Sequence, residues 1–133
     1  MFKNPAAFSL DVTSEGGGSV GVAEGVARAV AFLRAPAGAT HWMNLSARDL
    51  RGVSAEIQFT ADSINTLLED APIGDVLRGQ GLEALAERAE RQDAGLWRFE
   101  ALSADEFAQA IVGVLRGHFS LSDPMKLTLR SES

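Results

Sequence analysis

The chain of 133 residues contains no cysteine, no tyrosine and only four prolines. Without cysteine, disulfide bonds and thiolate-ligated metal sites are excluded, and a reducing compartment is compatible with the sequence. No apolar run approaches the roughly 20 residues that a membrane-spanning helix needs. The first residues also lack a basic start followed by a continuous apolar stretch. We therefore expect no signal peptide, no membrane association and a cytoplasmic location.

Basic residues are scarce, because 12 Lys and Arg stand against 18 Asp and Glu, for a formal net charge of −6. Nucleic-acid binding depends on clustered Lys and Arg at the phosphates, so we expect no direct nucleic-acid partner. The excess is confined to residues 61–133, which hold thirteen acids and seven bases. Within it, residues 62–106 hold eleven acids against four arginines.

The remaining composition is that of an ordinary globular protein, with 46% hydrophobic and 23% charged residues. A chain of this length can bury enough hydrophobic surface to form a stable core without disulfide bonds. No internal repeat, low-complexity tract or linker interrupts it. We therefore predict a single α+β domain over residues 1–133.

Apolar and polar residues alternate in several short segments, which predicts strands with one solvated face. These segments are 8–13, 40–45, 52–60, 96–101 and 125–130. Strands of a parallel sheet covered on both faces would be continuously apolar. We therefore predict a two-layer α+β sandwich, whose sheet has about five strands in mostly antiparallel or mixed order. About four helices cover mainly one face of that sheet.

Helical spacing of apolar residues, with stop signals at glycine and proline, places the helices. The predicted helices are 20–34, a segment from Thr60 through Leu68, a short one after Pro72, a segment from Leu82 to Ala89, and one from Ser103 to Gly117. In the fourth of these, Glu87 and Arg91 are predicted to pair at i,i+4. In the last, Ser103 and Glu106 match a capping box.

A glycine-rich loop, residues 14–25 (SEGGGSVGVAEG), joins the first strand to the first helix. Residues 16–21 fit G-x-G-x-x-G, and residues 17–21 fit the nucleophile-elbow pattern G-x-S-x-G. Glu15 places a negative charge beside any phosphate, and too little chain precedes the loop for the fold that an elbow needs. We favour a plain connection. The alternative is a small anion- or nucleotide-binding or hydrolytic enzyme that uses loop 16–21.

No other motif brings together residues of the kind that bind a metal or carry out catalysis. His41 and His118 are the only histidines and have no ligand spacing around them, so no metal site and no cofactor are predicted. Trp42 and Trp97 fall in strand patterns, which favours core packing over interface anchoring. Catalytic residues are therefore not predicted, and we expect a non-enzymatic protein.

The acidic segment is the best functional clue. At its start, Glu69 and Asp70 lie at a predicted helix end, where negative charge is disfavoured unless Asp70 caps the next helix. The predicted partner-binding residues are Glu69, Asp70, Asp75, Glu83, Glu87, Glu90 and Asp93. A surface of this sign steers a basic protein toward it. The alternative is that these acids form the solvated faces of amphipathic helices.

In size, composition and charge, the chain resembles the immunity proteins of bacterial toxin systems of the contact-dependent inhibition or polymorphic type. The resemblance is one of class and carries no sequence motif. It implies a cytoplasmic protein that neutralises a cognate toxin, often a basic nuclease, by covering or distorting its active site. A further alternative is a structural subunit that buries one sheet face or an edge strand in a homo-oligomer, for example with strand 125–130 paired across a two-fold axis.

Overall fold

The computed structural model describes residues 8–13, 21–67 and 70–133, which form seven strands and four α-helices. The strands are β1 (Ser9–Thr13), β2 (Trp42–Asp49), β3 (Ser54–Phe59), β4 (Ser63–Asn65), β5 (Ala89–Asp93), β6 (Leu96–Phe99) and β7 (Met125–Glu132). The helices are α1 (Val22–Arg34), α2 (Ile73–Gly79), α3 (Glu83–Ala86) and α4 (Ala104–Gly117), and a short 3₁₀ turn (Pro36–Gly38) follows α1.

The strands form one open sheet in the order β1-β7-β2-β3-β4-β6-β5, and every described pair is antiparallel. The longest pairing joins β2 and β7 over their full eight residues, from Trp42 opposite Glu132 to Asp49 opposite Met125. β1 and β5 are the two edge strands. The antiparallel order is confirmed, whereas the predicted number of about five strands is too low.

Alternating side chains separate the two faces of the sheet. In β2, Met43 and Leu45 are buried, whereas Asn44 and Arg48 lie on the open face. α1 contacts β1, β2 and β7 on the buried face, and it packs against α4, which also contacts α2 and α3. The helices therefore cover one face, as predicted for a two-layer α+β sandwich.

The core lies between the sheet and the layer formed by α1 and α4. Phe107 of α4 is fully buried. The centroid of its ring lies 5.5 Å from that of Phe99 and 6.3 Å from that of Phe59. α1 approaches β1 closely at Gly25, where a Cβ would lie 2.7 Å from a methyl group of Val12. This glycine is therefore required by packing. No helix in the described ranges is long and apolar enough to cross a membrane.

One predicted helical segment is wrong and another is too long, and together they account for the two extra strands. Residues 63–65 form β4 where a helix from Thr60 was predicted. The helix predicted from Leu82 ends at Ala86, and residues 89–93 form β5. β5 pairs with β6, so tertiary pairing overrides the local helical spacing in this segment.

The strand predicted to pair across a two-fold axis is not an edge. β7 lies between β1 and β2 and forms hydrogen-bonded ladders with both of them. Both sides of its backbone are therefore occupied within this chain. The predicted dimer contact through residues 125–130 is wrong for that reason.

Candidate functional site

Six of the seven predicted partner-binding acids lie in the described residues, and all six are exposed. Glu69 lies outside those residues. The six lie on or beside α2, α3 and β5, and α2 contacts both of the other elements. The acidic end is the set Asp70, Asp75, Glu83, Glu87, Glu90 and Asp93. These carboxylates therefore collect at the β5 end of the sheet.

Two acids of this set share one arginine. Arg78 on α2 lies 3.4 Å from Asp75 on the same helix and 2.9 Å from Glu83 at the start of α3. All three side chains are about half exposed or more, so the pairs are screened by solvent. Their charge is partly compensated, and the Arg78–Glu83 pair connects α2 to α3.

Asp70 connects the loop before α2 to the β5–β6 hairpin. Its two carboxylate oxygens accept from Arg91 at 3.1 and 3.0 Å, and one of them also accepts from the backbone N–H of Gly95 at 3.3 Å. Asp70 does not cap α2, whose N-cap position is Pro72 and has no side-chain cap. The predicted pair of Glu87 with Arg91 is likewise wrong, because β5 turns Arg91 toward Asp70.

Three acids of the set have no arginine or lysine partner within the described ranges: Glu87, Glu90 and Asp93. Glu90 accepts from the side-chain amide of Gln92 at 3.2 Å, and Asp93 accepts from the backbone N–H of Ala94 at 2.8 Å. Arg98 lies opposite Glu90 in register, but its ion pair goes to Asp62 at 3.3 Å. Within the described ranges, no ion pair therefore compensates these three exposed carboxylates.

The surrounding chain adds to this field. Residues 70–106 hold nine acids against four arginines, whereas residues 107–133 hold two acids and three bases. Since β5 is an edge strand and Glu90, Arg91 and Asp93 on it are exposed, charges line its free backbone edge. Charged residues on an edge strand oppose edge-to-edge aggregation, and here they also present a negative surface.

The glycine loop does not have the sheet context that a nucleotide site needs. Residues 14–20 lie outside the described ranges, and Gly21 is the N-cap residue of α1. β1, which precedes the loop, is an edge strand paired antiparallel with β7. A dinucleotide-binding loop follows a central parallel strand, so the G-x-G-x-x-G pattern in residues 16–21 lacks its expected setting.

The histidines and tryptophans lie apart from the acidic end. His41 packs edge-on against Phe32, with the two ring centroids 5.4 Å apart, and His118 is the C-cap residue of α4. Over the described residues, no group of three or more potential metal ligands occurs. Trp97 packs on the helix side, where its indole N–H donates to the carbonyl of Ala71 at 3.1 Å. Trp42 lies half-buried on the open face, so its predicted place in the core is wrong.

Sequence reasoning missed Asp49, the one buried acid among the described residues. Its carboxylate accepts from the backbone N–H groups of Arg51 at 2.9 Å, Val53 at 3.1 Å and Ser122 at 3.1 Å, and from the Arg51 guanidinium at 2.8 Å. Burial raises its pKa, but these donors outweigh burial and lower the pKa to about 2. The signal was an Asp followed by Gly52 at a strand end, which is typical of a turn.

Fold and charge together define a class: an α+β protein with an open antiparallel sheet, covered on one face and strongly acidic at one edge. The chain matches no protein-family model, and comparisons with curated proteins and with solved structures found no significant match.

Proposed function

We propose that the protein is a non-enzymatic binding protein that captures a basic partner protein on its acidic end. The class we favour is a cytoplasmic bacterial immunity protein that neutralises a cognate toxin of the nuclease type. One observation carries the proposal: Glu87, Glu90 and Asp93 are exposed and uncompensated at one edge of the sheet, beside three further acids.

The chemistry of such a partner fits this surface. A nuclease holds the phosphates of its substrate with Lys and Arg, so its substrate-binding face is positive. A set of fixed carboxylates is complementary to that face, steers the encounter and makes association fast at low salt. Covering the basic face with carboxylates also prevents the nucleic acid from reaching it.

The acids do not contribute equally to this proposal. Asp70 is already bound to Arg91, and Asp75 and Glu83 share Arg78. A partner must displace these arginines from the three acids or bind beside the existing ion pairs. The three uncompensated acids are available to a cationic side chain without such competition, so they should dominate binding. If the acids were merely solvated helix faces, no partner would depend on them.

The direct test searches the reading frames beside the gene for a nuclease-like domain, mixes that domain with the purified protein and measures affinity by calorimetry at several salt concentrations. We expect a complex whose affinity falls with salt. The double variant Glu87→Lys/Glu90→Lys should weaken it by about tenfold or more at low salt. The matched control is Glu24→Lys/Glu132→Lys, which makes the same change in net charge on α1 and at the end of β7.

Two results would remove the proposal. One is the absence of a complex with that nuclease-like domain. The other is an equal loss of affinity in the test and control variants, because it would show that overall charge matters and the acidic end does not.

A further inference from the structure

At the other end of the sheet, we propose a second binding site, which takes a small organic oxyanion: a carboxylate or phosphate group attached to an apolar body. The site is a cleft of about 340 Å³ between the β2–β3 turn and the start of β7. This volume falls in the range of small-molecule sites. The proposal is independent of the acidic end, which lies across the sheet at β5.

Two cations form the polar wall of the cleft. Arg48 of β2 and Lys126 of β7 lie directly opposite each other in register, on the open face, and both are exposed. Like charges directly opposite on antiparallel strands destabilise the pair. Neither side chain forms an ion pair or a hydrogen bond within the described part of the chain. An oxyanion between them would relieve their repulsion.

The nearby carboxylates are already engaged with other groups. Asp11 lies 3.5 Å from Arg130, and Asp49 lies 2.8 Å from Arg51. Both oxygens of Asp49, which also lines the cleft, already accept hydrogen bonds. The positive charge of Arg48 and Lys126 therefore remains available to a ligand.

A neighbouring cleft shows where the anion belongs. It shares Arg48 and Lys126 with the first cleft but is also lined by Glu56, whose carboxylate accepts from the Ser46 hydroxyl at 3.4 Å. A second carboxylate at that position would repel an anion. The ligand is therefore assigned to the first cleft, on the side of the β2–β3 turn.

Beside the two cations and the engaged Asp49, the first cleft has an apolar wall. Leu50 is 81% exposed and is one of two large hydrophobic residues exposed in the described ranges. Pro124 and Met125 continue this wall, and Thr13 stands opposite Lys126 in register. An exposed leucine beside two cations suits a ligand that carries both an apolar body and an anionic head.

The cleft is held in shape before any ligand binds. Asp49 binds the β2–β3 turn through Arg51 and Val53, and it binds the loop before β7 through the N–H of Ser122. Arg51 also donates to the carbonyl of Ser120 at 2.5 Å. Both walls of the cleft are therefore connected through one buried carboxylate, which lowers the entropic cost of binding.

The test is an NMR titration of the ¹⁵N-labelled protein with four probes: hexanoate, hexyl phosphate, inorganic phosphate and uncharged hexanol. We expect saturable shifts of the Leu50, Gly52 and Lys126 amides with the first two probes and weaker binding of the other two. The tighter of hexanoate and hexyl phosphate identifies the preferred anion. Arg48→Gln and Lys126→Gln should each weaken binding by about tenfold.

Three further variants sharpen the result. Arg28→Gln removes another exposed cation, on α1, and should leave binding unchanged. Leu50→Ser should weaken hexanoate and leave inorganic phosphate unaffected. Lys126→Gln should fold at least as stably as the parent chain, because it removes a like-charge contact.

Any of three outcomes would overturn the proposal. These are no saturable shift with either alkyl anion, binding that persists in the Arg48→Gln/Lys126→Gln variant, and hexanol binding as tightly as hexanoate.

Discussion

The β5 end of the sheet and the β1–β7–β2 end hold their charges in different ways. At the β5 end, six described carboxylates lie on or beside short elements, and α3 is only four residues long. At the other end, Arg48 and Lys126 lie on eight-residue strands that pair along their full length. The acidic end is therefore a charged surface on a lightly packed frame, whereas the basic cleft is fixed by the best-paired part of the sheet.

The comparison separates charged side chains that pair within the chain from charged side chains that are exposed to a partner or a ligand. Arg78 and Arg91 bind acids across neighbouring elements and so hold the short segments together. Glu87, Glu90 and Asp93 have no such role within the described residues. At the other end, Asp49 serves the fold, and the two cations beside it do not.

The largest effect is expected in the buried layer at the long-strand end. Leu45 of β2 is 1% exposed, so Leu45→Ala should lower the free energy of unfolding by about 2–5 kcal/mol. Leu85 of α3 is 6% exposed, and Leu85→Ala should cost less because the four-residue helix can adjust. Urea denaturation measures both. The exposed Leu50 serves as control, since Leu50→Ala should change stability by less than about 0.5 kcal/mol. A larger loss for Leu85→Ala would reverse the comparison.

The second effect concerns Asp49, whose pKa of about 2 lies below the ordinary 3.8. Because the folded pKa is depressed, the stabilisation is present above pH 3.8 and is lost as pH falls toward about 2. Asp49→Asn should destabilise the protein at neutral pH and flatten the decline below pH 3.8. Urea denaturation from neutral pH to pH 2 measures this.

The acidic end supplies the contrast for Asp49. Asp70→Asn breaks an exposed ion pair and should cost less than about 1 kcal/mol at neutral pH. If Asp49→Asn costs no more than this exposed change, Asp49 does not hold the two turns as described.

The third effect tests α4, which contacts α1, α2 and α3. The Ser103 hydroxyl accepts from the N–H of Glu106, and the Ser103 N–H donates to the Glu106 carboxylate, which lowers the pKa of Glu106. Ser103→Ala should cost about 1 kcal/mol in thermal or urea unfolding. Gln109→Ala, at an exposed position of the same helix, should be nearly neutral. Equal losses in the two variants would argue against the cap.

The smallest effect on stability is expected for a variant that also tests the proposed function through the rate of association with the partner. Arg78→Gln frees Asp75 and Glu83, so it should change stability by about 1 kcal/mol or less. It should also speed association with the nuclease-like domain of the proposed binding test at low salt, because the acidic end becomes more negative. Stopped-flow mixing measures the rate. Arg28→Gln on α1, which frees Glu24, is the matched control and should have a smaller effect. Equal acceleration by both variants would contradict the assignment of the face.

The long elements were predictable because period and burial agree along them. The alternation in β3 and β6, and the S-x-x-E start of α4, predict the faces and the cap that the structure has. β4 is only three residues long, too short for alternation to show. β5 has the sequence AERQD, which contains no β-branched or aromatic residue. It is a strand only because β6 lies beside it.

The charge excess of the candidate site was also visible in the sequence, but its compensation was not. Arg78 reaches Glu83 across a helix boundary, and Arg91 of the hairpin reaches Asp70 in the loop before α2. The opposition of Arg48 and Lys126 depends on the register between β2 and β7, which lie far apart in the sequence. Pairings of this kind follow from topology, and no local pattern encodes them.

The pairing of β1 with β7 joins Ser9 to Arg130. During translation, β1 leaves the ribosome with no strand to pair with, and β2 has one bare edge, until β7 has been made. Contacts of such long range slow folding. The nascent chain must therefore keep two unpaired strand edges in solution. A chain truncated before residue 125 would lack β7, and we expect it to aggregate or to be degraded by proteases.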